Sequence, residues 1–270
     1  MGTIATLEAG TGPTVLLVHG LNGFKEGWGP LPEALAAAGA RAVAVDLPGF
    51  GASPRLVRGR TGPDSLARAL EPLVSSLAPV GVVAHSLGTQ VAMILAARRP
   101  ETVSRMALIS PWVLARPMRL PPRSLSDLVQ IPVIGPALAR IAIARVRRSP
   151  ERRRDAYLTT IADPGALTGD PVMAALLQEA SDRLVTADLR AMADWASLAL
   201  GSDVRPLAPR VPQPTLVVTG SLDRVTRPSG AEWLAQALPA ARLLRLPGIG
   251  HFPHLEGAAT VVPAVVGHLV

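Results

Sequence analysis

Ser86 lies in the run Val82-Val83-Ala84-His85-Ser86-Leu87-Gly88-Thr89, where a β-branched apolar stretch gives way to one rich in Ala and Leu. A strand turning sharply into a helix at that serine would hold its hydroxyl exposed, beside a helix N-terminus that favours developing negative charge. Ala84 and Gly88, two residues to either side, are small enough for strand and helix to pass closely. Gly is the usual residue at the first of these positions, and Ala adds one methyl group. A serine hydroxyl is a weak nucleophile, so the chemistry requires a base within reach and a third group to orient that base.

Acid and base are expected after the nucleophile, in that order, at the ends of later strands. Thr215 to Val218 runs into Gly220-Ser221-Leu222-Asp223, and Arg242 to Leu246 runs into Pro247-Gly248-Ile249-Gly250-His251-Phe252. Asp223 is the well-placed acid, because the earlier strand ending at Ser110 is followed by Pro111-Trp112 with no carboxylate close by. His251 is the expected base, since Gly248 and Gly250 free its loop to reach the serine. His254 is its competitor, while His85 and His268 are read as structural. An acyl-transfer site also needs donors for an oxyanion. The run Leu17-Val18-His19-Gly20-Leu21-Asn22-Gly23 ends a strand in a loop whose amide at Leu21, or alternatively Asn22, would pair with the amide of Leu87.

The elements that must hold these residues follow from the hydropathy pattern. Apolar runs at Thr14 to Val18, Arg41 to Val45, Gly81 to Ala84, Met106 to Ile109, Thr215 to Val218 and Arg242 to Leu246 are nearly continuous, as in strands buried on both faces. Helical stretches separate them at Leu31 to Ala38, Ser65 to Leu77, Ser86 to Arg99, Gly230 to Ala237 and Thr260 to Val270. Strand and helix in alternation specify an α/β fold with a mostly parallel sheet of about seven to eight strands. The rhythm breaks between Pro111 and Pro212, where helical runs at Pro136 to Arg148, Pro150 to Ile161, Pro171 to Leu184 and Leu189 to Leu200 replace strands. Residues 1–111 and 212–270 are thus expected to form the core and residues 112–211 an inserted helical lid. Asp46, in Asp46-Leu47-Pro48-Gly49-Phe50-Gly51, is read as part of a turn-forming loop.

At 270 residues the chain is long enough to bury a sizeable core. It has no cysteine, which removes disulfides and thiolate catalysis. Met1 to Ala9 lacks a basic and an apolar region, so a cytoplasmic location is expected. No membrane span is expected either, because Pro132, Pro136 and Arg140 interrupt the apolar run from Leu128 to Val146. The net charge of +7 is uneven: seven arginines between Arg140 and Arg154 face only Glu151, giving that window +6. Without aromatic residues for base stacking it does not point to nucleic acid. A solvated helix face is the plain reading and an acidic partner the functional one.

These motifs together resemble the α/β-hydrolase fold superfamily, in the lid-bearing group with a His-Gly loop. The resemblance rests on His19-Gly20, Asp46 to Gly51, Ala84-His85-Ser86-Leu87-Gly88, Gly220 to Asp223 and Gly250-His251, and runs along nearly the whole chain. It implies an eight-stranded sheet, although only Ile4 to Leu7 offers a strand ahead of Thr14. A serine nucleophile argues against the dehalogenase and epoxide hydrolase chemistries of similar proteins, which use aspartate there. The expected reaction is hydrolysis of a small-molecule carboxylic ester with a hydrophobic acyl or alcohol group, needing no metal or organic cofactor. Trp28, Trp112, Val113, Met118, Trp195 and Phe252 are the expected substrate-binding residues. Alternatives are carbon-carbon cleavage of a β-diketone type substrate, which similar proteins perform with the same three residues, and hydrolysis of an ester or thioester on an acidic carrier protein. A ligand-binding scaffold without turnover is the reading of a different class.

Overall fold

The computed structural model describes residues 3–56, 61–113 and 134–270. Among them, seven strands form one sheet: β1 (Thr6–Ala9), β2 (Thr14–Val18), β3 (Arg41–Val45), β4 (Val80–His85), β5 (Val103–Ile109), β6 (Thr215–Gly220) and β7 (Ala241–Leu246). The sheet order is β1-β3-β2-β4-β5-β6-β7. Every neighbouring pair is parallel except β1 with β3, which run antiparallel with Thr6 opposite Val45. β1 starts two residues later than the expected Ile4, because Ala5 leaves the ladder register to accept from the Asp46 amide and to donate to Ser53 Oγ.

The apolar runs of β2, β4 and β6 are buried at every position. Helices on both faces cover them: α1 (Leu31–Ala37), α2 (Pro63–Leu77), α3 (Gly88–Arg98) and, after the insertion, α9 (Pro228–Ala237), α10 (Pro253–Glu256) and α11 (Ala258–Leu269). One expectation fails at the sheet's edge. β7 was expected to be fully buried, yet only Leu246 of it is, and Leu243 is 40 % exposed. With β6 as its single neighbour, β7 turns Arg242 and Arg245 to solvent.

Among the described residues, five α-helices lie between β5 and β6: α4 (Gly135–Arg147), α5 (Pro150–Leu158), α6 (Pro164–Gly169), α7 (Pro171–Thr186) and α8 (Leu189–Gly201). Four of them have side-chain caps: Ser149 begins α5, Asp163 α6, Asp170 α7 and Asp188 α8, each accepting from first-turn amides. Proline follows three of those caps, at the one helical position where a missing N–H costs nothing. α8 belongs to the same hydrophobic cluster as the sheet through Met192, Trp195 and Ala199, so the insertion is packed on the core rather than tethered to it. No described helix is long and apolar enough to cross a membrane.

Candidate active site

The carboxyl ends of β2, β4, β6 and β7 converge on one place. β4 leads into Ser86, whose φ of +52° lies in the left-handed region that side chains avoid. Such a backbone persists only when its surroundings over-determine it. Here the Ser86 amide donates to the Ile109 carbonyl at 2.9 Å, and the Ser86 carbonyl accepts from the Thr89 amide at 3.0 Å and the Thr89 hydroxyl at 2.6 Å. The helix therefore begins at Gly88, two residues later than expected. Gly88 is required by a close approach different from the one anticipated. A Cβ on it would stand 2.4 Å from the His19 carbonyl oxygen and 2.5 Å from that of Val18, so the obstacle is the end of β2.

Ser86, His251 and Asp223 form a hydrogen-bonded chain. His251 Nε2 lies 3.0 Å from Ser86 Oγ, and its Nδ1 lies 2.9 Å from Asp223 Oδ2. All three residues are buried. Burial alone would raise the Asp223 carboxyl, but the hydrogen bond and charge of His251 and the hydrogen bonds from Thr226 outweigh it and hold the group well below the ordinary carboxylate range. Thr226 escaped the sequence reading. Its hydroxyl donates to Asp223 Oδ2 at 2.6 Å, while Oδ1 accepts the amides of Val225 and Thr226 at 2.8 and 3.0 Å. An Asp followed three residues later by Thr is the signal of such an Asx turn.

Other polar groups of these motifs serve the scaffold. Asp46 accepts from the Lys25 amide, Lys25 Nζ and the Ala52 amide, which ties two loops together. His19 Nε2 accepts from the Leu47 amide at 3.0 Å, so the proton resides on Nδ1 and is donated to the Gly20 carbonyl at 2.7 Å. His254 packs its ring against Trp28 and His85 rather than approaching Ser86 in place of His251. His85 Nε2 donates to the His251 carbonyl at 2.9 Å.

Burial lowers His19 to about 4 from the ordinary 6.5, against the opposing pull of the Gly20 carbonyl and Asp46. Burial together with the neighbouring His251 lowers His254 to about 3. Each histidine binds its proton more tightly in the unfolded chain. The stability they contribute is present above pH 6.5 and is lost as pH falls, at about 1.4 kcal/mol per pH unit for each. Calorimetry is expected to show Tm falling steadily from pH 6.5 to about 4, and a constant Tm over that interval would refute this account.

Beside Ser86 opens a cavity of about 430 Å³, roofed by α4 to α8 and walled mostly by apolar side chains. Trp28, Trp112 and Phe252 line it, as do Leu21, Asn22 and Leu87. Two expected pocket residues do not. Trp195 is fully buried and stacks edge-on against Phe50 at 5.1 Å, and Val113 is part of the hydrophobic core. Size and apolar character point the large residues of the insertion to the pocket, whereas α8 turns its tryptophan toward the core. Met118 lies outside the described residues. The cavity instead takes Ile143 and Val146 from α4, Tyr157 from α5 and Met173, Leu176 and Leu177 from α7. Hydrophobic periodicity alone does not say which of an inserted helix's apolar residues face a ligand.

A fold and site of this kind define a hydrolase scaffold, and comparison with known proteins agrees. Residues 13–258 match the family model described as alpha/beta hydrolase fold. The chain belongs to the α/β hydrolase family. It is 30 % identical over 271 residues to the pimeloyl-[acyl-carrier protein] methyl ester esterase of Nitrosomonas europaea, covering 95 % of each chain. It is 32 % identical over 264 residues to the protein of the same name from Aromatoleum aromaticum, covering 94 % of this chain and 98 % of that one. Among solved structures, the enol-lactonase of Burkholderia xenovorans superposes with a TM-score of 0.79 at 23 % identity, covering 98 % of this chain and 96 % of that one.

Proposed function

We propose that this hydrolase is a serine esterase that cleaves a carboxylic ester through an acyl-enzyme on Ser86. The observation that carries the reading is the hydrogen-bonded chain from Ser86 to His251 to Asp223 at the floor of an apolar cavity. His251 Nε2 takes the proton from Ser86 Oγ as that oxygen attacks the ester carbonyl, and Asp223 holds the imidazole with its proton on Nδ1 and stabilises the imidazolium. Among the described residues the amides of Leu21, Asn22 and Leu87 have no hydrogen-bond partner and lie at the cavity, so they are available to the oxyanion. One such donor contributes about 2.7 to 4 kcal/mol in measured cases. The imidazolium then protonates the leaving alcohol. A water deprotonated by His251 releases the acid and regenerates Ser86.

An apolar cavity of this size accommodates a medium hydrophobic acyl chain. The test is fluorophosphonate labelling together with hydrolysis of p-nitrophenyl esters of increasing length. Labelling at Ser86 and an optimum at medium chain length are expected. Protein that neither labels nor turns over any ester would favour the binding-scaffold reading, and cleavage of β-diketones alone would favour carbon-carbon hydrolysis.

A second observation favours a carrier-bound acyl group as the natural substrate in the cytoplasm. The helices that roof the cavity with Ala142, Ile143, Val146 and Tyr157, together with the turn between them, also carry Arg140, Arg145, Arg148, Arg152 and Arg154, all exposed and, among the described residues, without an ion-pair partner. The two relatives named above act, by their names, on an ester attached to an acyl-carrier protein. Converting Arg140, Arg145 and Arg148 to Glu is expected to raise KM for an acyl-carrier substrate about tenfold or more. KM for p-nitrophenyl acetate should stay unchanged, and equal effects on both substrates would exclude the carrier.

A further inference from the structure

The loop that carries His251 leaves β7, the half-exposed edge strand paired only with β6. The loop after β6 holds its first residues, the Leu222 amide donating to the Ile249 carbonyl at 2.9 Å and Ser221 Oγ accepting the Gly248 amide at 2.9 Å, but the residues around His251 itself are held from elsewhere. The stretch after α5, ending at Ala162, crosses directly over it: the His251 amide donates to the Thr160 carbonyl at 3.0 Å. Glu256 gathers both sides of this contact, since its Oε2 accepts the amides of Ala162 at 2.8 Å and Gly250 at 2.9 Å, and its Oε1 accepts the Phe252 amide at 2.9 Å. The approach is close enough that a Cβ on Gly250 would stand 2.7 Å from the Ala162 nitrogen and 2.8 Å from the Thr160 oxygen. The His251 peptide is thus gripped on one side by His85 of the core and on the other by the insertion.

The same short segment reaches the opposite half of the site. Tyr157, the chain's single tyrosine, accepts a hydrogen bond from Asn22 Nδ2 and lies 3.2 Å from the Ala180 carbonyl of α7. Burial pushes its phenol up, so it stays neutral. Asn22 has a φ of +59° and adjoins Leu21, so its loop needs an outside hold to keep those amides in place. Tyr157, Thr160 and Ile161 also line the cavity, which puts a bound acyl chain against the segment that aligns the reacting groups.

We infer that Tyr157 and Glu256 are positioning residues for hydrolysis, and that residues 157–162 are the strap through which the docked insertion sets His251 on one side and the Leu21–Asn22 amides on the other. The inference rests on the serine-esterase reading. It extends that reading by making the insertion part of the reaction geometry and not only a wall of the pocket.

The experiment compares wild type with Glu256→Ala, Glu256→Gln and Tyr157→Phe, reading the rate constant and end-point of fluorophosphonate labelling and both kcat and KM for p-nitrophenyl acetate. This substrate is too short to depend on the cavity. Glu256→Ala is expected to slow labelling and lower kcat about 10- to 100-fold with KM little changed, the size of effect that misplacement of a reacting group by about 1 Å produces. Glu256→Gln, which keeps one carbonyl for the amides, should fall between it and wild type, and Tyr157→Phe should lose several-fold in kcat. A merely structural role would lower the end-point or Tm while the labelled fraction still reacts at the wild-type rate. That result, or a change in KM alone, overturns the inference. Should Glu256→Ala not fold, Glu256→Gln and Tyr157→Phe decide by the same readouts. Wild type that does not label overturns the esterase reading itself, whereas variants that label as fast as a reactive wild type overturn only the strap.

Discussion

Ser86→Ala is expected to lose about 10⁶-fold in kcat and to abolish fluorophosphonate labelling, because among the described residues no other group stands where Oγ meets His251 Nε2 at 3.0 Å. The fold should survive the change. Ser86 keeps its left-handed φ through its own amide and carbonyl, which alanine retains, and the missing oxygen leaves no large void. Thermal melting with Tm close to wild type, alongside turnover reduced to the level set by binding and the oxyanion donors, is the expected pair of observations. Labelling that persists in Ser86→Ala would place the nucleophile elsewhere.

Asp223→Asn is expected to lower kcat about 10⁴-fold, and the structure explains why so small a change has so large an effect. The two turn amides of Val225 and Thr226 both donate to Oδ1, so an asparagine at this position must keep its carbonyl there and turn its NH₂ toward the site of Oδ2. That NH₂ then faces His251 Nδ1, which must become an acceptor. The imidazole proton moves to Nε2, opposite Ser86 Oγ, where it cannot accept the serine proton. Rates of p-nitrophenyl ester hydrolysis check the magnitude. A loss of less than about tenfold would mean that the carboxylate is not the orienting group for the base.

Much of the fold was legible because strands buried on both faces are written as continuous apolar runs, and β2, β3 and β6 began at the expected residues. Two helices of the insertion were legible for a related reason, since Ser149-Pro150 and Asp170-Pro171 are start signals that act over one turn, whereas the short helix Pro164–Gly169 is absent from the sequence reading although Asp163-Pro164 is the same signal. The misreadings have different causes. β7 carries Arg242 and Arg245 among its six residues, whereas β2, β4 and β6 carry no Lys, Arg, Asp or Glu, so its edge position was signalled by charges that a count of apolar residues overlooks. Trp195 is as large and apolar as Trp112, yet only Trp112 reaches the cavity. The rotation of an inserted helix is decided by packing among distant elements, which no local pattern encodes.

The division between sequence and tertiary structure runs through the site itself. By its own pattern the chain determined a serine at a strand-to-helix junction, an acid and a histidine at later strand ends and a basic helical insertion, because each depends on residues within a few positions of one another. Only the folded molecule decided that Ser86, His251 and Asp223 touch, separated as they are by 165 and 28 residues. It also decided that Gly88 is small to clear the end of β2, and that Glu256 and Tyr157 join the insertion to the loops of the site. Hydrogen bonds between residues remote in sequence are set by the packing of whole elements, and that packing is a property of the assembled core.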